Sequence, residues 1–551
     1  VLTARLIKQK EPDCKIVFVG PCAAKKLEAS RKSIRSYVDF VLTFEELQGM
    51  FDAKDVNFKE LPDGEPLMQA SADGRGFAAS GGVAAAVVKA VKRMDPDREV
   101  KVVSAEGLAN CRKMMQLAKA GADVGIELFV MDDGWFSGRN DDTSSLGDWE
   151  PDPKKLPGGI ASLSKKLKAL GVDFGLWVEP EMISENSRLY QEHPDWAMMI
   201  PEHPHSEGRN QRLLDLCNPE VQQYVIDSMT KVFSSGDIRY VKWDMNRNFS
   251  DIYSPYLPAA KQGETAHRYV LGLYHIMNEL TTRFPEILFE GCSSGGNRFD
   301  LGILSYFPQI WASNNTDALC RNGIQNSYSY GYPLSVFTAH VSSCPNHQTL
   351  RITPLETRFQ VASFGVLGYE CNLKDLSGSD LNAIREQIAL YKKWRDVFQF
   401  GTFYRGTENE DSDSETLSWT CVSPDGRRAV GLFFRRLTTP NQSHDWYRPV
   451  GLLPDVKYHF YGRNIKYNLK DFGDLVNTVS PVHIKQGSAL QEILSRFVNM
   501  DGEKEELTAY GDTLMRAGIA LKPAFAGTGY NSDTRLFPDF SSRIYFMEAA
   551  E

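Results

Sequence analysis

From residue 126 onward the chain alternates short apolar runs with amphipathic stretches. The runs are IELFVMDD (126–133), DFGLWVEP (173–180), IRYVKWDM (238–245), EILFEGCS (286–293), FPQIWASN (307–314), VFTAHVSS (336–343) and a weaker FGVLGYEC (364–371). Between them lie helical patterns. In ETAHRYVLGLYHIMNELTTRF, Val270, Leu273, Tyr274, Met277 and Thr281 recur at helical spacing and predict one buried face. This strand–helix repeat predicts parallel strands joined by helices. Polar and acidic residues gather where the strands end, which is the habit of a (β/α)8 (TIM) barrel. The runs number seven, one short of the eight that close such a barrel.

SGSDLNAIREQIALYKKWRDVFQF (377–400) predicts a long closing helix, and after it the texture changes. TLSWTCVSPDGRRAVGLFFRR and VKYHFYGRNIKYNL alternate apolar and polar positions and carry the turn signals PDG and YGRN. These predict an antiparallel β-sandwich domain. The front of the chain differs again. CKIVFVGP (14–21) predicts a strand, SIRSYVDFVLTFEELQGMF a strand and then a helix capped by Thr43, and ASGGVAAAVVKAVKRM a Gly-started helix. The expected parts are an N-terminal α/β fragment (1–121), a barrel (122–402) and a C-terminal sandwich (403–551).

Composition narrows the class. With 551 residues, 42% hydrophobic and 24% charged, the chain has room for several cored domains. A net charge of −9 argues against nucleic acid as a partner. No run of about 18 apolar residues predicts a membrane span, and no charged-then-apolar leader opens the chain. It begins with Val1, as a fragment or an unusual start codon would. Nine cysteines without a CxxC pair point to reduced thiols, a cytoplasmic location and no closed zinc site.

The strand ends offer Asp132 and Asp133, Glu179 and Glu181, Asp244, and the 313–317 segment, accompanied by Trp135, Trp177, Trp243 and Trp311. Two carboxyl groups flanking a sugar are the minimum for glycoside hydrolysis, one as nucleophile or base and one as proton donor. Aromatic faces suit the apolar faces of sugars. Lys242 beside Asp244 favours an ionised carboxylate. Each residue has a plainer reading too. A strand-end Asp serves equally as a helix N-cap, a Trp there is more often core, Glu179 before Pro180 fits a turn, and Cys292 fits a packed thiol.

Eleven stretches in order, among them ELFVMDDGWF, FGLWVEPEMIS, GRNQRLLDLCNPEV, YVKWDMNR, FEGCSSGGNRFD and QIWASNNTDA, carry a close resemblance to family 36 of the glycoside hydrolases, the bacterial α-galactosidases. It covers about Ala122 to Glu551. It implies a retaining, cofactor-free hydrolase of terminal α-1,6-galactosyl groups, as in melibiose, raffinose and stachyose, and a possible homo-oligomer. By the same resemblance Asp244 matches the nucleophile. Asp132 and Asp133 match a pair binding the galactose 4- and 6-hydroxyls, and Lys242 a hydroxyl donor. Trp177, Arg209, Cys292, Ser294 and Trp311 match pocket-lining positions.

Two departures qualify this. The family places its acid/base Asp where this chain reads Ser313-Asn314-Asn315-Thr316-Asp317, so Asn314 stands at the acid/base position. An amide neither gives nor takes a proton usefully at neutral pH, so impaired turnover is expected; Asp317 is expected to point away. The family's first barrel strand and preceding sandwich are also missing. In their place VFVGPCAAKKLEA, VDFVLTFEEL, ASADGRGFAASGGVAAAV and VSAEGLANCRKMMQLAKAG resemble the C-terminal catalytic domain of [FeFe]-hydrogenases. Cys22 matches one ligand of the H-cluster there, but the motifs for the other three are absent, so no metal is expected. The two resemblances meet at LAKAGADVGIELF, which points to a fusion of two gene fragments. The missing strand leaves a gap that the runs near Lys101–Val103 or Lys15–Val19 could fill. Two rival functions remain, an inactive galactoside-binding pseudoenzyme and an iron–sulfur or redox protein driven by the N-terminal part.

Overall fold

The structure, a computed structural model, describes residues 108–551 apart from 207, 407–414, 440–443, 479, 526–532 and 551, together with 7–8, 11, 13–20, 38–43, 47, 50–51 and 53–54. The chain separates into two compact units, Val1–Val102 and Val103–Glu551. In the first, β1 (Val17–Gly20) and β2 (Phe40–Thr43) pair in parallel. Asp39 accepts from the Ile16 amide at 2.8 Å and pairs with Lys8 at 3.1 Å. The 15–19 run therefore pairs with β2, while Lys101–Val103 and Cys22 lie outside the described residues.

In the second unit, α1 (Leu108–Val124) leads into a repeating strand–helix chain: β3 (Leu128–Met131), α2 (Gly159–Lys168), β4 (Asp173–Val178), α3 (Pro219–Phe233), β5 (Ile238–Trp243), α4 (Thr265–Arg283), β6 (Leu288–Gly291), β7 (Gln309–Trp311), α5 (Ala318–Tyr328), β8 (Phe337–Ser342), α6 (Leu355–Ser363), β9 (Val366–Glu370) and α7 (Gly378–Phe400). The seven strands form one parallel sheet in the order β9-β8-β7-β6-β5-β4-β3. This is the TIM-type barrel that the apolar runs predict, with seven strands among the described residues.

Local chemistry explains the helix boundaries. The Asn218 side chain accepts from the Glu220 amide ahead of Pro219, and Ser377 and Asp380 cap each other reciprocally at the start of α7. The buried stripe of α4 differs from the predicted one. It runs through Tyr269, Gly272, Leu273, Ile276, Met277 and Leu280, and Val270 is 40% exposed. Gly272 sets this rotation, because a Cβ there would meet the Leu216 carbonyl oxygen and the Gln222 amide.

Among the described residues, the end strands of the sheet differ in burial from an inner one. Inner strand β4 is buried along almost its whole length, whereas β3 and β9 are mostly half-exposed. Outside, the helices do meet. Val124 of α1 joins Leu373, Ile384 and Ile388 in one apolar cluster. Lys392 donates to the Gly125 carbonyl at 2.6 Å, and Arg395 pairs with Glu127 at 2.8 Å. The helical layer is thus continuous from α7 to α1, whereas β9 and β3 are the end strands of the sheet among the described residues.

After α7 comes an antiparallel sheet of β10 (Thr402–Arg405), β11 (Thr416–Val422), β12 (Arg428–Arg435), β14 (Lys457–Gly462), β15 (Glu506–Tyr510) and β17 (Ser541–Ala549), in the order β10-β11-β12-β17-β14-β15. Alternation along β11 divides its faces. Leu417, Trp419 and Cys421 pack on Trp394, Val397 and Phe398 of α7, while Val422 joins a second core with Tyr447 and Ile519 of the small pair β13 (Trp446–Tyr447) and β16 (Ile519–Ala520). The PDG signal makes the β11–β12 turn, with Gly426 at φ +69°. YGRN closes no such hairpin, because β14 pairs instead with β15 and β17. No helix among the described residues is long and apolar enough to cross a membrane.

Candidate active site

Strand register assembles the site. Trp177 of β4 pairs with Lys242 of β5, which pairs with Glu290 of β6, so their side chains share one row. The ladder runs one residue further, since the Asp244 amide donates to the Val178 carbonyl and the Cys292 amide to that of Trp243, both at 2.8 Å. Strand alternation puts Asp244 on the same face as Lys242. Both candidates therefore sit at the C-terminal end of one strand, flanked by those of its neighbours.

Asp244 is buried at 5% exposure. One carboxylate oxygen accepts from the Trp177 indole at 3.1 Å and the other from the Met245 amide at 2.8 Å. Burial works against its charge, but hydrogen bonds from the Cys292 thiol, Trp177 and Asn246, and the nearby Lys242 ammonium, outweigh it and hold the carboxyl below its ordinary value. The Cys292 thiol is pushed far up by burial and by the charge of Asp244, so it stays protonated and acts as donor. Lys242 keeps its proton despite burial, because the charges of Asp132, Glu290 and Asp244 surround it. Its ammonium lies 3.4 Å from Asp132.

The other expected residues divide into those that join this cluster and those that do not. Asp132 joins it through Lys242, with its side chain 66% exposed on the open side of β3. Asp133 turns to Arg139, whose guanidinium lies 2.8 Å away and is itself buried. Arg209 and Ser294, both at positive φ, converge on Asn246 Oδ1 at 3.5 and 3.3 Å. Trp311 is buried, and its indole donates to Asn314 Oδ1 at 2.9 Å. The Asn314 side chain is exposed at the mouth. Its backbone packs on Gly295, at φ +100°, where a Cβ would stand 3.0 Å from the Asn314 nitrogen. That contact ties the GCSSGG loop of Cys292 to the segment carrying Asn314. Arg321 holds the segment from below: it donates to the carbonyls of Ser313 and Asn315 and stacks 4.2 Å from the Trp311 ring centroid. Asp317 is the N-cap of α5, buried, engaged by the Leu319 amide, Thr349 and Arg351.

Sequence reading names Glu179 as a strand-end candidate but passes over Asn246, Gln211 and Arg139. Asn246 links Arg209, Ser294 and Asp244, and its amide N–H donates to Glu179 Oε1 at 2.5 Å. Its only signal is its place two residues past Asp244. Glu179 is fully buried, and burial together with the charge of Asp244 pushes its carboxyl up to about 8. Gln211 reaches Glu179 from a loop 32 residues further on, and Arg139 reaches Asp133 from six residues further along the same loop. Among the described residues no group of three or more His, Cys, Asp or Glu could hold a metal ion.

A parallel barrel whose mouth gathers an ionised carboxylate, an ammonium, a second aspartate and two tryptophans, backed by an antiparallel sandwich, has the layout of a carbohydrate-active barrel. The profile of the Melibiase family matches residues 104–401, and that of the glycosyl hydrolase family 36 C-terminal domain matches residues 416–547. The chain belongs to the Melibiase family. Residues 1–130 match the C-terminal domain of the iron-only hydrogenase large subunit, overlapping the Melibiase match over 104–130. α1 (Leu108–Val124) lies within that overlap. The hydrogenase-like stretch holds three cysteines, Cys14, Cys22 and Cys111, one short of the four thiolates that a cubane cluster takes.

Among curated relatives, the chain is 47% identical over 356 residues to alpha-galactosidase AgaA of Geobacillus stearothermophilus, covering 65% of this chain and 49% of that one. It is 46% identical over 346 residues to alpha-galactosidase Mel36A of Lactobacillus acidophilus, covering 63% and 47%. The chain thus spans about half the length of these relatives. Among solved structures, a variant of AgaA in complex with raffinose superposes with a TM-score of 0.67 at 41% identity, over 80% of this chain and 54% of that one. The alpha-galactosidase of Lactobacillus brevis gives 0.69 at 38%, over 82% and 55%.

Proposed function

We propose that the chain is a retaining α-galactosidase barrel acting on terminal α-1,6-galactosyl groups, with Asp244 as nucleophile and turnover impaired because Asn314 stands at the acid/base position. The observation that carries this is the environment of Asp244: buried, yet held ionised by Cys292, Trp177, Asn246 and Lys242. A buried carboxylate so supported is poised to attack an anomeric carbon. Lys242, Asp132, Asp133, Trp177, Arg209, Ser294, Cys292 and Trp311 would bind the sugar. Residues 122–402 would carry this chemistry, 403–551 would support it, and 1–121 would take no part. The AgaA complex with raffinose supports an α-galactoside oligosaccharide as substrate. The seven described cysteines are free thiols, which supports a reducing, cytoplasmic setting.

Asn314 favours a second reading, a galactoside-binding pseudoenzyme. One comparison separates the two: the chain and its Asn314→Asp variant, assayed on nitrophenyl α-galactoside and on melibiose. Nitrophenol needs no protonation to leave, whereas the glucose of melibiose does. The hydrolase reading expects release from the nitrophenyl substrate by both chains, and a gain of roughly 10²-fold or more on melibiose with the variant. Galactose binding with no turnover by either chain would establish the pseudoenzyme.

A further inference from the structure

We propose that this pocket forms carbon–sulfur bonds: given an activated α-galactoside and a thiol that ionises in water, it transfers the galactosyl group to sulfur. This rests on the galactosidase reading and extends it to the second half of the reaction.

In the first half, the Asp244 carboxylate attacks the anomeric carbon of a nitrophenyl α-galactoside. The bond from that carbon to the phenolic oxygen breaks, and its electron pair leaves as nitrophenolate, which needs no proton. The galactosyl group is left as a β-linked ester on Asp244. In the second half, water can attack only if a base removes its proton. Of the described carboxylates around Asp244, Glu290 is buried beside Lys242 and accepts from the Tyr240 hydroxyl, and the others are committed to partners as follows. Asp317 is buried and bound by Leu319, Thr349 and Arg351. Glu179 is fully buried between Asn246 and Gln211. Asp132 pairs with Lys242, Asp133 with Arg139, and Glu370 with His340 at 3.1 Å. Asn314 offers an amide.

A thiolate needs no base. It attacks the anomeric carbon on the face that nitrophenolate left, the new bond forms to sulfur, and the electron pair of the ester bond returns to Asp244 as carboxylate. The sum is aryl galactoside plus thiolate giving aryl oxide plus α-thiogalactoside, with no change of oxidation state. Asn314 is exposed, so an acceptor can reach this residue from solvent. The pocket's own thiol does not compete, because Cys292 is buried, protonated and engaged with Asp244.

The test uses the full chain, nitrophenyl α-galactoside and an aryl thiol ionised at neutral pH, following nitrophenolate by absorbance and sugar products by mass spectrometry. The expected course is one nitrophenolate per chain in a burst, then slow release that the thiol accelerates at least tenfold, with an equal amount of aryl α-thiogalactoside. In Asn314→Asp the thiogalactoside falls to a minor product and free galactose dominates. A burst followed by release that the thiol does not change, with galactose as the sole product, overturns this proposal and leaves the galactosidase reading standing. No nitrophenolate from either chain overturns both.

Discussion

The Trp311 indole donates to Asn314 Oδ1 at 2.9 Å, and this bond orients the amide. An indole N–H can only donate, so the oxygen must face it and the NH2 group is left for the pocket side. The position that a proton donor would occupy is therefore held firmly, by the wrong functional group.

In the Asn314→Asp background the same indole would donate to a carboxylate oxygen and favour its charged form. A general acid must be protonated to act, so the indole limits activity at the alkaline side. Adding Trp311→Phe raises the carboxyl pKa, and the basic limb of the kcat/KM profile on melibiose moves up by about one unit, roughly 1.4 kcal/mol. The nitrophenyl substrate, which needs no acid, shows no such movement.

Asp244 sets the opposite limb. Its folded pKa lies below the ordinary value, so its charge and the stability this brings are present above the unfolded pKa and are lost as pH falls through the folded one. The nitrophenolate burst is accordingly retained below pH about 4. Cys292→Ala removes a thiol donor, and the acid limb of the burst rises by about half a unit to one unit. A limb that stays in place would show that the thiol plays no part in holding the charge.

Glu179 behaves in reverse. Burial and Asp244 raise its pKa to about 8, so the native state holds its proton more tightly than the unfolded state. Stability from this group is complete below pH about 4 and declines as pH rises toward 8. Glu179→Gln removes the titration. Its amide oxygen can accept from Asn246, and its NH2 can meet the unpartnered Gln211 Oε1 once that side-chain amide turns over. The variant is expected to unfold within about 1 kcal/mol of the parent at pH 5 and to be the more stable chain at pH 8, by urea denaturation at both pH values.

The barrel was legible because parallel strands buried on both faces read as apolar runs, and seven runs became seven strands. Asp244, Lys242 and Trp177 were legible because residues at the ends of adjacent strands must meet. Asn246, Gln211 and Arg139 were not, since loop conformation decides what they touch. The stripe of α4 was misplaced by one position because Gly272 carries no hydrophobic signal, although its close approach to the Leu216 carbonyl fixes the helix face.

Asp317 is the remaining acid on the Asn314 segment, and its surroundings assign it to structure. It caps α5, accepts from Thr349 at 2.5 Å and pairs with Arg351, at 1% exposure. Asp317→Ala leaves the arginine and the hydroxyl without their partner, and a loss of about 3 kcal/mol in denaturant unfolding is expected. Activity should follow folding alone. Corrected for the folded fraction, the nitrophenolate burst stays within about twofold of the parent. Any slow melibiose turnover of the parent should survive as well. Selective loss of melibiose turnover with an intact burst would instead make Asp317 the proton donor that Asn314 cannot be.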